Sequence, residues 1–121
     1  MKSIRHHKTA VIAVEKNKYY LKITGEGPPL ICLHGFSEDH TTWDEIAIPG
    51  YTVYRIDLIG HGKSEKPHMQ EDYEINTILR QLHQLIHNFT KKQYSIMGYS
   101  MGGGGESHLH MRLDTETRSS N

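Results

Sequence analysis

One stretch of this chain leaves little choice of architecture: an amphipathic helical pattern set between two β-type runs. Over residues 74–89, Ile75, Ile78, Leu79, Leu82, Leu85, Ile86 and Phe89 recur at helical spacing. Arg80, Gln81, Gln84 and His87 are left for solvent. Asp72 is placed to cap the amino end, and Lys91-Lys92 marks the carboxyl end. Residues 52–56 before the helix and 94–98 after it are β-type. Strand, helix and strand in this order return by a right-handed crossover, so the pattern predicts a parallel pair of strands and an α/β fold.

The rest of the amino-terminal part supplies more strands. Residues 9–14, 18–24 and 30–33 are β-type, broken by Glu15-Lys16-Asn17 and by Gly25-Glu26-Gly27-Pro28-Pro29, both with turn chemistry. Leu30-Ile31-Cys32-Leu33 is continuously apolar, as in a strand buried on both faces, whereas 18–24 mixes Tyr20, Leu21 and Ile23 with lysines. Residues 41–48, with Trp43 and Ile46, are assigned to a short helix. With 121 residues the chain has room for one domain. Fourteen basic residues against fourteen acidic ones, balanced in both halves, leave no electrostatic footprint for nucleic acid or an anionic membrane. The longest apolar run, 10–14, is far too short for a membrane span or a signal peptide, and the single Cys32 cannot form an intrachain disulfide. The expectation is a soluble, cytoplasmic protein.

Chemistry enters with Gly98-Tyr99-Ser100-Met101-Gly102, a G-x-S-x-G pattern directly after a β-type run. Flanking glycines there permit a sharp strand-to-helix turn that lifts a serine hydroxyl clear of the backbone. In so glycine-rich a chain the pattern alone weighs no more than an idle serine in a glycine loop. Two further segments add to it: His34-Gly35-Phe36 follows the run 30–33, and Asp57-Leu58-Ile59-Gly60-His61-Gly62-Lys63-Ser64 follows the run 52–56. All three are expected at the carboxyl edge of one parallel sheet, where open α/β sheets bind ligands.

On these segments, residues 30–103 resemble the amino-terminal half of an α/β-hydrolase-fold protein. Within that superfamily, Leu33-His34-Gly35-Phe36 with Trp43, the 57–64 loop and Gly98-Tyr99-Ser100-Met101-Gly102-Gly103 are most similar to the menaquinone-pathway family of 2-succinyl-6-hydroxy-2,4-cyclohexadiene-1-carboxylate synthases. The resemblance implies a cofactor-free lyase acting on a small carboxylate. Ser100, made basic by a histidine that an acidic residue orients, would remove a substrate proton and trigger elimination of pyruvate. The amides of Phe36 and Met101 would form the oxyanion hole, and Tyr99 would contact substrate. A hydrolase of the same fold would use Ser100 as a covalent nucleophile. His34 and His61 belong to the loop motifs and are read as bonding to loop backbone; Asp57 is read as fixing its own turn.

After Gly103 the pattern stops. Family triads run Ser, acid, His, yet 21 residues follow Ser100, fewer than the roughly 30 of one βαβ unit. Gly104 stands where the family shows Arg, and Gly102 to Gly105 opposes a helix. Residues 104–121, where Leu109, Met111 and Leu113 alternate too briefly, are expected to be disordered, and a lost reading frame near Gly102–Gly105 would account for them. The fold expected is thus the amino-terminal portion of an α/β-hydrolase sheet with flanking helices, truncated after the nucleophile elbow and inactive alone. A reading of another class, a short binding module using His6-His7 and His108-Leu109-His110 as metal ligands, competes with scattered surface histidines.

Overall fold

A computed structural model describes residues 7–35, 38–44, 48–101 and 107–112, with 99–101 and 107–112 described by their backbone. Six strands form one mixed sheet: β1 (His7–Val14), β2 (Asn17–Thr24), β3 (Pro29–Leu33), β4 (Thr52–Ile56), β5 (Ser95–Met101) and β6 (Ser107–Arg112). Their spatial order is β1-β2-β4-β3-β5-β6. β3 is parallel to β4 on one side and to β5 on the other, and the remaining pairs are antiparallel. The helix α1 (Ile75–Phe89) connects β4 to β5. These two strands are parallel, as the crossover requires, but they are not neighbours. β3, apolar on both faces, lies between them, and its residues Pro29 to Cys32 are all buried.

The sheet separates two apolar layers. Ile31 and Ile56 join Val14, Tyr19 and Leu21 under Leu82, Leu85 and Ile86 of α1. On the other face Leu30, Cys32, Val53 and Met97 pack with Trp43, which the short 3₁₀ turn His40–Trp43 delivers fully buried. This turn replaces the helix expected over 41–48, of which residues 45–47 lie outside the described set. Its entry is an Asx turn: the Asp39 carboxylate accepts from the Thr41 amide at 2.9 Å and the Thr41 hydroxyl at 2.5 Å. Burial at Cys32 pushes its thiol pKa up to about 12.

The helix is where it was expected but is rotated relative to the expected face. Gln81 is 1% exposed, whereas Ile75 and Leu79 are 64% and 55% exposed. The cause is the β1–β2 turn, which docks on α1. Tyr19 Oη donates to Gln81 Oε1 at 2.6 Å and Asn17 Nδ2 donates to the same oxygen at 3.3 Å. Gln81 Nε2 in turn donates to Glu15 at 3.1 Å. A polar side chain thus occupies a core-facing position because its oxygen accepts two hydrogen bonds and its nitrogen donates one. Asp72 is likewise not the helix cap. It sits buried in the 3₁₀ turn Gln70–Tyr73, accepts from Asn17 Nδ2 at 3.3 Å and lies 3.5 Å from Lys16 Nζ. Glu74 holds the cap position with no side-chain bond.

β5 extends three residues past Gly98, to Met101, and β6 pairs with it antiparallel from Ile96 opposite Arg112 to Met101 opposite Ser107. β6 covers 107–112 of the tail expected to be disordered; residues 102–106 and 113–121 lie outside the described set. Among the described residues no helix is long and apolar enough to cross a membrane.

Candidate active site

Because β3, β4 and β5 run parallel, their carboxyl ends share one edge of the sheet, and that edge collects the three motifs. Leu33 pairs with Ile56 and with Gly98, so His34-Gly35, Asp57 and the residues after Gly98 start at one level. Asp57 organises the loops there. Its carboxylate, fully buried, accepts from the His40 amide at 2.6 Å, from His40 Nδ1 at 2.9 Å and from the Lys63 amide at 2.8 Å. Its carbonyl accepts from Ser64 Oγ at 2.6 Å, and Ser64 Oγ accepts from the Tyr20 amide at 2.8 Å. Gly62 closes this loop with a φ of +54°; a Cβ there would stand 2.3 Å from an Asp57 carboxylate oxygen. Both the backbone conformation and the space require glycine.

His34 ties the same edge together from β3. Its Nδ1 donates to the Gly35 carbonyl at 2.7 Å, and its Nε2 accepts from the Leu58 amide at 2.9 Å. An acceptor at Nε2 demands the neutral ring, and burial, acting against the Gly35 hydrogen bond, holds its pKa below the ordinary value. His61 Nδ1 bonds the Ile59 carbonyl at 2.9 Å. The three groups read from sequence as loop-holding residues therefore bond loop backbone. His40 is the residue the sequence reading missed. No spacing rule marks it, because its partner Asp57 is 17 positions away and reaches it only once β3 and β4 are paired.

The serine does not sit in the turn expected for it. Ser100 lies within β5, one residue before its end, with Tyr99 and Met101 in the same strand. Among the described residues no strand-to-helix elbow is formed, and the physical reason is the neighbour: antiparallel pairing with β6 keeps the backbone extended through Met101. Ser100 nonetheless stands two residues beyond Gly98, the last β5 residue paired with β3, at the edge that carries the loops. Phe36 lies outside the described residues, so no geometry of an oxyanion hole is described. The histidine pairs of the binding-module reading fall apart in space. His7 is on β1 and His108 and His110 are on β6, the two outer strands, about 24 Å apart at the usual strand spacing, and His6 is outside the described set. Among the described residues no group of three or more His, Cys, Asp or Glu is placed to hold a metal ion.

Comparison with known proteins agrees with this arrangement. The family profile of the alpha/beta hydrolase fold matches residues 28–109. A 2-succinyl-6-hydroxy-2,4-cyclohexadiene-1-carboxylate synthase of Klebsiella pneumoniae is 35% identical over 78 residues, covering 63% of this chain and 30% of that protein. Epoxide hydrolase 3 of Xenopus tropicalis is 35% identical over 80 residues, covering 63% of this chain and 22% of that protein. Among solved structures, the thioesterase domain from the curacin biosynthetic pathway superposes with a TM-score of 0.71 at 31% identity, covering 79% of this chain and 38% of that one. The chain thus spans between 22% and 30% of the length of these curated relatives. With three parallel strands delivering their loops to one edge and a profile match over most of its length, the chain belongs to the α/β hydrolase fold family.

Proposed function

We infer that this chain carries the serine-bearing part of a cofactor-independent lyase, with Ser100 as the reacting serine, and that the reaction eliminates pyruvate to form 2-succinyl-6-hydroxy-2,4-cyclohexadiene-1-carboxylate. The observation that supports it most is the convergence of the His34-Gly35, Asp57 and Ser100 segments on one sheet edge, together with 35% identity to a synthase of that name. In this reading Tyr99 contacts the small carboxylate substrate, and the Phe36 and Met101 amides stabilise the developing oxyanion. Asp57, already holding three donors, keeps the loops in place. Ser100 needs a histidine oriented by an acid to become basic, and family order puts both after the serine.

The test joins residues 1–101 to the carboxyl-terminal portion of the Klebsiella synthase and follows pyruvate release. The fusion is expected to release pyruvate, Ser100→Ala to abolish release, and the 121-residue chain alone to show none. A fusion whose turnover survives Ser100→Ala sinks the reading. The likeness to a thioesterase domain supports a second reading, a serine ester hydrolase, which the same fusion tests with a chromogenic ester.

A further inference from the structure

The β5–β6 register places a histidine opposite the serine. Six consecutive pairs run from Ile96 and Arg112 to Met101 and Ser107, and within them Ser100 is the partner of His108. Directly opposed residues of an antiparallel pair share a face of the sheet, with Cβ atoms about 4.5–5.5 Å apart. That is the separation across which an imidazole serves a hydroxyl. His110 is the partner of Gly98, so it shares the face but is related to Ser100 by a diagonal of roughly 7–8 Å. The same strand therefore contains a matched control for the histidine that is the register partner of the serine.

We propose that His108 is the proton acceptor for Ser100 in this chain, a serine–histidine pair brought together by hairpin register. The proposal rests on the reading of Ser100 as the reacting serine and names the base that the 121 residues themselves supply. With an ester, the Ser100 hydroxyl proton passes to the His108 imidazole while Oγ bonds to the carbonyl carbon. Collapse breaks the bond to the alkoxide, which leaves as the alcohol with the proton from the imidazolium. Water then attacks the acyl carbon and gives one proton to His108; the acyl–Oγ bond breaks, the acid is released, and Ser100 Oγ takes that proton back from the imidazolium. Neither β5 nor β6 carries Asp or Glu, so no carboxylate from either strand orients the imidazole. Activation is expected to fall on the order of 10⁴-fold short of a full triad.

The experiment uses the 121-residue chain and a fluorophosphonate probe, whose fluoride Ser100 Oγ displaces from phosphorus, with the adduct located by peptide mass spectrometry. Labelling of Ser100 is expected, with a rate that rises between pH 5 and 8 as the imidazole gives up its proton. His108→Gln should lower the rate at least about 100-fold. His110→Gln should leave it within about threefold, and added imidazole should restore labelling of His108→Gln. No adduct on Ser100, a rate flat from pH 5 to 8 in the unaltered chain, or equal loss in both histidine variants overturns the proposal. The two readings fail differently. If Ser100 is labelled in the synthase fusion but not in the 121-residue chain, His108 is not the base while Ser100 remains the reacting serine. If the fusion is neither labelled nor active, the assignment of Ser100 itself falls.

Discussion

At one edge of the sheet the β1–β2 hairpin turns through Glu15-Lys16 and lies against α1; at the other β6 pairs antiparallel with β5 and, among the described strands, with β5 alone. The first turn is conformationally demanding, since Glu15 takes a φ of +57°, a left-handed conformation that costs a side-chain-bearing residue about 1–2 kcal/mol. Tertiary bonds hold it there. Arg80 Nε and Nη2 both donate to the Glu15 carboxylate at 2.9 Å, and Gln84 Nε2 donates at 2.9 Å. A non-glycine turn is thus fixed by side chains of a helix 65 positions away in sequence. The second hairpin is described by its backbone ladder, and among the described strands β6 pairs with β5 alone. One edge has its turn fixed by side chains of a distant helix and the other adds a single outer strand, and this difference governs how each should respond to change.

The largest expected effect is at the first edge. Leu21 of β2 is fully buried among Tyr19, Ile56 and Leu85, so Leu21→Ala should destabilise the fold by about 2–5 kcal/mol in urea titration. Deleting residues 107–121 should change the midpoint far less. A loss from the deletion as large as that from Leu21→Ala would break the comparison, because it would make the β5–β6 ladder a main support of the sheet.

A smaller change sharpens it. Tyr19→Phe removes the 2.6 Å bond to Gln81 Oε1 but leaves Asn17 on that oxygen, so a loss of about 1 kcal/mol is expected. Amide exchange should quicken in β1 and β2 and stay unchanged in β6. Equal quickening in both hairpins would mean that the two edges open as one unit.

The smallest effect is electrostatic. Hydrogen bonds from Arg80, then Gln84 and Gln81, hold the Glu15 carboxyl at about 2, against 4.5 for the free group. A carboxyl depressed on folding contributes stability that is fully present above the unfolded value and is lost as pH falls from about 4.5 toward 2. The difference in melting temperature between the parent and Glu15→Gln should therefore shrink over that window and be constant above it. A difference that persists at pH 2 would mean that the turn is held by the amides of Gln81 and Gln84 rather than by charge. His34 acts in a separate window: its pKa is lowered on folding, so its share is present above about 6.5 and declines as pH falls below that.

How much of this was readable follows from the range of the interactions involved. The helix over 74–89, the buried strand at 30–33 and the α/β class were legible because periodicity and apolar runs are local properties of a segment. The roles of His34, His61 and Asp57 in holding the loops were legible for a similar reason, since each sits directly after a β-type run or beside a glycine turn. The buried Gln81 was not, because a helical wheel counts polarity and cannot see that Tyr19 and Asn17 supply the bonds that make burial favourable. His40 was not, because its carboxylate partner comes from another strand.

The sequence by itself determined the first five strands and the one long helix, and it placed three chemically loaded loops after three strands. Only the tertiary structure decided the neighbours: β3 between β4 and β5, the face of α1 turned to the core, and β6 laid against β5 so that Ser100 is extended and opposite His108. The reason is physical. Element type is set by backbone torsions and side-chain patterning within a few residues, whereas the choice of partner depends on which distant groups can satisfy one another's hydrogen bonds and exclude water together.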